Sequence, residues 1–205
     1  MFLLFLAAIA VVSFTAFKNP ELQQKLTFHP YSIQHNGEWY RFLSHVFVHG
    51  SVGHLLINLF VFYSFGDYVL TLFMELKGPV FGAVLFVFMM MAAAVFSSIK
   101  AFAKHRENPS YHAVGASGVV SAVLFSFVLM QPLNSIYLFF IPIPIPAFIF
   151  GVVYLGYEYY MDKKSTDRIA HDAHFYGAVL GLLFTVFLDF RIPNMFVKQV
   201  MQYFS

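Results

Sequence analysis

The run GASGVVSAVLFSFVLMQ, residues 115–131, places one hydroxyl, that of Ser117, where a polar segment gives way to an apolar helix. The N–H groups at a helix start are unpaired and carry partial positive charge, which suits them to binding an oxyanion. A serine between glycines is also a common packing device, because glycine allows close helix approach and the hydroxyl can bond its own helix. The run therefore predicts a buried apolar helix that begins with either a nucleophile or a packing serine.

The composition of the whole chain places this helix in a membrane. Hydrophobic residues make up 60% of the 205 residues and charged residues only 11%, with a mean hydropathy of +0.71. These values predict an all-α polytopic membrane protein in contact with the lipid bilayer. The net charge of +2 is too small to indicate nucleic-acid binding. The absence of cysteine excludes disulfides, thiolate catalysis and cysteine-ligated metals.

Six apolar runs nearly exhaust the chain, since a spanning helix needs about 20 residues. We predict spans at about 1–17, 53–74, 79–100, 115–131, 147–161 and 172–190, joined in a single membrane domain over residues 1–205. The first run is predicted to be a retained helix and not a signal peptide, because no basic segment precedes it. Residues 18–52 form the one long polar loop, and loops of that length usually have a function.

The direction of the spans brings distant polar residues to one membrane depth. The second, fourth and sixth spans run the same way, so that their N-terminal ends lie in one leaflet. His54 and Asn58 fall near the start of the second span, Ser117 of the fourth and His174 of the sixth. Polar groups inside spans are costly and are functional candidates by default.

Two stripes of small residues, each with a period of four, predict close packing of the fourth span on the sixth. The stripes are Gly118, Ala122 and Ser126 on the fourth span and Ala173, Gly177 and Gly181 on the sixth. Packed face to face, they bring the Ser117 hydroxyl and the His174 imidazole within hydrogen-bond reach. A structural histidine beside an ordinary packing seam is the alternative. His171 is the rival base, and we expect it in the interfacial loop.

His54 and Asn58 stand four residues apart, so they share one helix face and can donate to a single point. A donor pair aimed at a developing oxyanion contributes several kcal/mol per donor to transition-state stabilisation. Metal binding is the competing interpretation, since His45 and His49 have the same spacing. No HExxH occurs and no carboxylate lies among these residues, so we expect no metal or other cofactor.

Taken together, the motifs resemble those of rhomboid intramembrane serine proteases of the bacterial, six-span type over nearly the whole chain. The matching features are GxSG at Gly115 to Gly118, H-x4-H-x3-N at His49, His54 and Asn58, AHxxGxxxG at Ala173 to Gly181, and Trp39 with Arg41 in the first loop. The resemblance implies a six-helix rhomboid bundle.

Residue roles follow from the resemblance. It implies Ser117 as nucleophile, His174 as general base and then acid, and an oxyanion hole made by His54, Asn58 and the Ser117 backbone N–H. Supporting roles are implied for His45, His49, Gly115, Gly118, Gly177, Gly181, Trp39 and Arg41. We expect a dyad and not a triad, because Asp172 lies two residues from His174 and points to another helix face.

Substrates and location are also expectations from the resemblance. It implies that single-pass transmembrane proteins enter laterally and are cut near one membrane surface. We expect the fifth span and the loop 162–170 to form a mobile gate and lid, preceded by an extended segment at the prolines of residues 141–146. The family resemblance implies a bacterial inner membrane and an extracytoplasmic site. The positive-inside rule implies the reverse, since all but Lys77, Arg191 and Lys198 of the 12 lysines and arginines lie on the active-site side.

One departure from the family concerns the residue one turn after the nucleophile. Rhomboids often carry there an aromatic residue that stacks on the catalytic imidazole, whereas this chain has Ser121. Phe125 or Phe175 would then have to position His174. Two other classes stay open at this point, a catalytically silent rhomboid-like protein that binds membrane clients and an unrelated six-span transporter. The transporter predicts paired intramembrane charges or inverted repeats, which the sequence lacks.

Overall fold

The computed structural model describes residues 2–138, 141–164 and 170–205. These residues form helices and one β-hairpin. In chain order they are α1 (Phe2–Lys18), α2 (Pro20–Leu26), α3 (Pro30–Asn36), α4 (Arg41–Ser44), a 3-10 turn (His45–Phe47), α5 (Val52–Lys77), α6 (Pro79–His105), α7 (Ser117–Met130), β1 (Ser135–Leu138), β2 (Ile141–Pro146), α8 (Ala147–Lys164), α9 (His171–Leu188) and α10 (Ile192–Tyr203).

Three helices, α5, α6 and α9, are long and apolar enough to cross a membrane. Helices α1 and α7 are apolar but shorter. Helix α8 carries Glu158 and ends in Asp162, Lys163 and Lys164, so its charged end lowers its hydropathy. The protein is therefore a mostly helical membrane protein, and each predicted apolar run corresponds to a helix. That all six helices cross the membrane stays a prediction.

Helix α7 lies at the centre of the bundle, in contact with α5, α6, α8 and α9. Every residue from Gly118 to Val128 is buried. With 14 residues this helix is about 21 Å long, shorter than the hydrocarbon core of about 30 Å. The surrounding helices shield α7 from lipid. Its first residue, Ser117, can therefore lie deeper in the membrane than the first residue of a full-length span.

The predicted seam between the fourth and sixth spans is confirmed as the contact between α7 and α9. A Cβ atom added to Gly177 would overlap the backbone of Gly118, and one added to Gly181 would overlap that of Ala122. Ser126 donates a hydrogen bond to Ala122 O at 3.0 Å and lies 3.3 Å from Gly181 O. The two helices therefore touch backbone to backbone, as small residues allow in lipid.

The long polar loop, residues 18–52, is folded into α2, α3, α4 and the 3-10 turn. Arg41 is buried and donates to Gln24 O and Thr27 O, both at 2.7 Å. It also pairs with Glu38 at 2.5 Å. A small core of Phe28, Ile33, Phe42 and Ala101 fastens the loop to α6. The loop is thus a folded platform beside the start of α7.

The proline-rich segment before α8 is extended, as predicted. Strands β1 and β2 pair antiparallel, with Ser135 opposite Pro146 and Ile136 opposite Ile145. The fifth apolar helix continues past the predicted end at 161 to Lys164. Of the predicted lid, residues 162–164 belong to this helix, and residues 165–169 lie outside the described residues.

Candidate active site

Ser117 is the first residue of α7 and follows a tight backbone turn at Gly115. Gly115 has a φ of +117°, which side-chain-bearing residues rarely adopt. A Cβ atom at this position would also lie 2.6 Å from His54 Cε1. Gly115 is therefore required both for the turn and for the close approach of the His54 imidazole, which places His54 beside the nucleophile candidate.

His49 holds the segment that precedes Ser117. Ser13 donates to Phe47 O at 2.8 Å, so the His49 Nδ1–H donates to Ser13 Oγ at 2.8 Å. His49 Nε2 then accepts the Ala116 N–H at 3.4 Å. Both ring nitrogens are thus used by a neutral imidazole, and burial lowers the pKa of His49 to about 4, with the nearby His54 and His45 adding to the effect.

His45 supports the same segment from the other side. Its Nδ1–H donates to Arg41 O at 2.9 Å, and its backbone carbonyl accepts the Gly115 N–H at 3.0 Å. Burial lowers the pKa of His45 to about 4. The structure therefore places both histidines in contact with the chain around the turn before Ser117, as supporting residues would be.

Asn58 and His54 lie one helical turn apart on α5. The Asn58 amide donates one N–H to His54 O at 2.9 Å, which fixes the orientation of its side chain. An amide has two N–H groups, so one is left for a ligand. Both residues face the same cavity as Ser117.

This cavity has a volume of about 960 Å³ and lies between α5, α7, α8 and α9. It brings together four of the predicted site residues, His54, Asn58, Ser117 and His174. The hydrogen bonds among the described side chains do not include one between Ser117 and His174. Such bonds are often long in the absence of substrate and tighten when it binds.

The structure adds one residue to the site that the sequence did not predict. Glu158 on α8 is 4% exposed, and its Oε1 lies 3.1 Å from His174 Nδ1. Its Oε2 lies 2.5 Å from Nδ1 of His171. A carboxylate in an apolar helix is itself a signal of function, but the run Tyr157 to Tyr160 also fits an interfacial aromatic belt.

Comparison with known sequences identifies the family of the chain. The model of the family described as the Rhomboid domain matches residues 36–190, which include helices α4 to α9. The chain belongs to the rhomboid family. It is similar to RHOMBOID-like protein 12, mitochondrial, from Arabidopsis thaliana, with 25% identity over 155 residues. The matched segment covers 72% of this rhomboid and 46% of the Arabidopsis protein, so this chain spans about half the length of that relative.

The prediction for His171 was wrong. His171 is the first residue of α9 and is 4% exposed, so it does not lie in an interfacial loop. A carboxylate, that of Glu158, contacts His174, and the dyad of Ser117 and His174 stays a prediction. That carboxylate is not Asp172, whose Oδ1 accepts the Ala173 N–H at 2.9 Å within the first turn of α9.

The aromatic residues that were expected to position His174 have other neighbours. The ring of Phe125 packs against Tyr154 at 5.6 Å and that of Phe175 against Tyr159 at 5.9 Å. Ser121, at the position where an aromatic residue is common, lies 3.2 Å from the Tyr154 hydroxyl. Glu158 lies one turn after Tyr154 on the same face of α8. It contacts His174 from that helix through a carboxylate and not through an aromatic ring.

Trp39 and Arg41 pack against other residues of the first loop. Trp39 is 60% exposed, and its ring stacks on Phe42 with centroids 6.1 Å apart. Arg41 fastens α2 to α4 as described above. Both residues shape the platform next to the site, and neither is among those that line the cavity.

Glu158, His171 and His174 offer ligand atoms within 4.8 Å of one another, a set that could hold a metal ion. Two ligands of one tetrahedral zinc ion, at bond lengths of about 2 Å, lie about 3.3 Å apart. The 2.5 Å between Glu158 Oε2 and His171 Nδ1 is shorter than that separation. The three groups are thus arranged as hydrogen-bond partners in this structure.

Proposed function

We propose that this rhomboid is an intramembrane serine endopeptidase that cleaves transmembrane segments of single-pass membrane proteins. The observation that carries the proposal is the convergence of Ser117, His174, His54 and Asn58 on one cavity, from three helices that are distant in sequence. A hydroxyl, an imidazole and two hydrogen-bond donors are the groups that acyl transfer requires.

In the proposed reaction, His174 takes the Ser117 proton as the hydroxyl oxygen attacks the peptide carbonyl carbon. His54, Asn58 and the Ser117 N–H donate hydrogen bonds to the oxyanion that forms. The peptide C–N bond then breaks, the leaving amine takes the proton from His174, and an acyl-enzyme remains. Water, activated by His174, hydrolyses the ester and restores the free hydroxyl.

Water and the substrate must both reach a nucleophile inside the bilayer. The cavity of about 960 Å³ supplies space for water at Ser117. A peptide bond in a membrane helix has its backbone groups paired, so the substrate must unwind locally before attack. Residues of both α5 and α8 line the cavity. We therefore propose lateral entry between these two helices, within a domain in which α1 and α5 to α9 are the six spans.

A second candidate function is the binding of membrane clients without cleavage. The lack of a hydrogen bond between Ser117 and His174 among the described residues favours it. Retention of both side chains, on one cavity with two oxyanion donors, favours the protease. The resemblance to rhomboids of the bacterial type implies a bacterial inner membrane with the cavity on the extracytoplasmic side, and this orientation is part of the proposal.

The test is cleavage of a model single-pass substrate in proteoliposomes by the native protein, Ser117→Ala and His174→Ala. Cleavage by the native protein alone supports the protease and both catalytic roles. Labelling by a serine-directed fluorophosphonate, lost in Ser117→Ala, provides a second readout that needs no substrate. A native protein that neither cleaves nor labels would contradict the protease and favour client binding.

A further inference from the structure

Glu158 is a carboxylate held inside the helix bundle, where a charge must be paired to be tolerated. It is 4% exposed, and each of its oxygens contacts a different imidazole. Oε1 lies 3.1 Å from His174 Nδ1, and Oε2 lies 2.5 Å from His171 Nδ1. The phenol of Tyr154, one turn earlier on α8, also interacts with Glu158. The carboxylate is therefore oriented from both α8 and α9.

The contact with Glu158 determines which nitrogen of His174 carries the proton. An ionised carboxylate only accepts hydrogen bonds, so His174 Nδ1 must be the protonated nitrogen. Nε2, on the opposite edge of the ring, then keeps its lone pair. His174 and Ser117 line the same cavity, so this lone pair is the one available to the Ser117 hydroxyl.

We propose that Glu158 is a positioning residue that holds His174 with its proton on Nδ1 and Nε2 free to accept the Ser117 proton. The inference rests on the proposed protease function and changes its machinery from a dyad to a Ser117, His174 and Glu158 triad. When the Ser117 proton moves to Nε2, the imidazolium keeps its Nδ1–H bond to the carboxylate. Glu158 stays ionised throughout and stabilises that positive charge.

A purely structural role, in which Glu158 only fastens α8 to α9, makes different predictions. It would depend equally on both contacts of the carboxylate. His171→Gln removes the contact of Oε2 and leaves that of Oε1 with His174. A triad therefore predicts a much smaller loss of kcat for His171→Gln than for Glu158→Gln, whereas a fastening role predicts similar losses.

The experiment measures kcat, KM and the thermal unfolding midpoint of the native protein, Glu158→Gln, Glu158→Asp, His171→Gln and the matched control Glu75→Gln. Glu75 is an exposed glutamate on α5. We expect Glu158→Gln to lower kcat about 10²-fold with little change in KM, a loss typical of impaired general base catalysis. Glu158→Asp should recover part of that loss, because it keeps the carboxylate, and Glu75→Gln should match the native protein.

Two results would overturn the inference. One is a kcat for Glu158→Gln close to that of the native protein. The other is a loss of activity that follows the loss of thermal stability equally in Glu158→Gln, Glu158→Asp and His171→Gln. Failure of the protease proposal is distinguishable from both, since the native protein would then neither cleave substrate nor react with a fluorophosphonate at Ser117.

Discussion

At the scale of single residues, the histidines of this rhomboid have different surroundings, which suit them to different roles. His45 and His49 are buried, and their ring nitrogens are taken up by neighbouring groups. His174 is partly exposed to the cavity, and among the described residues only its Nδ1 has a hydrogen-bond partner. The first two are suited to holding a backbone turn and the third to moving a proton.

The buried pair makes the fold sensitive to acid. The pKa of His45 and of His49 is lowered to about 4 from 6.5. The unfolded chain therefore binds protons below pH 6.5, while the folded state stays neutral down to about pH 4. Stability is fully present above pH 6.5 and is lost as the pH falls toward 4, by up to about 3 kcal/mol for each histidine.

Thermal unfolding midpoints in detergent between pH 7.5 and 4 measure this effect. His49→Gln is less stable at pH 7.5, since it loses the contacts with Ser13 and Ala116, but its midpoint should fall less steeply with acid. An equal slope in the native protein and the variant would show that His49 does not contribute to the acid sensitivity.

Substitution of Asn58 tests the proposed oxyanion hole. Removal of one donor from such a site lowers kcat about 10²-fold to 10³-fold, because the donor acts on charge that develops only in the transition state. We expect Asn58→Ala to lose kcat in this range with little change in KM. Asn134→Ala is the control, because Asn134 is exposed in the turn before β1. If Asn58→Ala raised KM alone, the side chain would bind substrate and not the oxyanion.

The sequence predicted the candidate site residues that lie in motifs. It did not predict Glu158, because the contact of Glu158 with His174 arises only from the packing of α8 on α9. Ser117, His174, His54 and Asn58 could be found because each lies near the start of an even-numbered span. Glu158 lies near the C-terminal end of α8, which corresponds to the predicted fifth span and runs in the opposite direction. Its approach to His174 depends on the rotation of α8 about its axis, which composition and spacing do not determine.

At the scale of helices, the seam between α7 and α9 sets the distance between Ser117 and His174. Gly177 and Gly181 leave no room for a side chain against the backbone of α7. The four-residue period of small residues predicted this contact from the sequence, since the pattern has few other uses in lipid. The folded first loop was not predicted, because its short helices depend on contacts with α6 and on the buried Arg41.

A matched pair of glycines tests the seam. Gly181→Ala would force a methyl group into the Ala122 backbone, so we expect a loss of about 2 kcal/mol or more in stability and a larger loss of activity. Gly156→Ala, on α8, meets nothing within 4 Å and should be neutral or stabilising by up to about 1 kcal/mol. Thermal unfolding and substrate cleavage measure both. Equal behaviour of the two variants would contradict the role of the seam.

Helix α8 carries Glu158 and also forms one wall of the proposed entrance. Substrate entry between α5 and α8 would therefore require movement of the helix that orients His174. Because the chain has no cysteine, Val61→Cys on α5 and Phe150→Cys on α8, both lining the cavity, can be joined by bifunctional thiol reagents of graded length. We expect short links to abolish cleavage and long links to spare it, with the unlinked double variant as control. Full activity with the shortest link would contradict the gate.

At the scale of the whole molecule, the topology determines which groups share one side of the membrane. Helices α1, α7 and α8 are the three crossings that length and hydropathy leave open, α1 and α7 because they have 17 and 14 residues and α8 because of its charges. Burial of α7 within the bundle offsets its short length. The charges of α8 fall mainly at its C-terminal end. There Lys100 of α6 pairs with Asp162 at 2.5 Å, which reduces the free-energy cost of placing these two charges near the membrane.

Six crossings place Glu107 and Lys164 on the active-site side and Asn134 and Ser205 on the other. All four residues are exposed, so each can be replaced singly by cysteine and labelled with a membrane-impermeant maleimide in sealed vesicles. We expect Glu107→Cys and Lys164→Cys to label from one side and Asn134→Cys and Ser205→Cys from the opposite side, with detergent-permeabilised vesicles as the control for reactivity. If Lys164→Cys labelled together with Asn134→Cys, α8 would not cross the membrane. Glu158 would then have to reach His174 from a re-entrant helix, and lateral entry beside α8 would lose its structural basis.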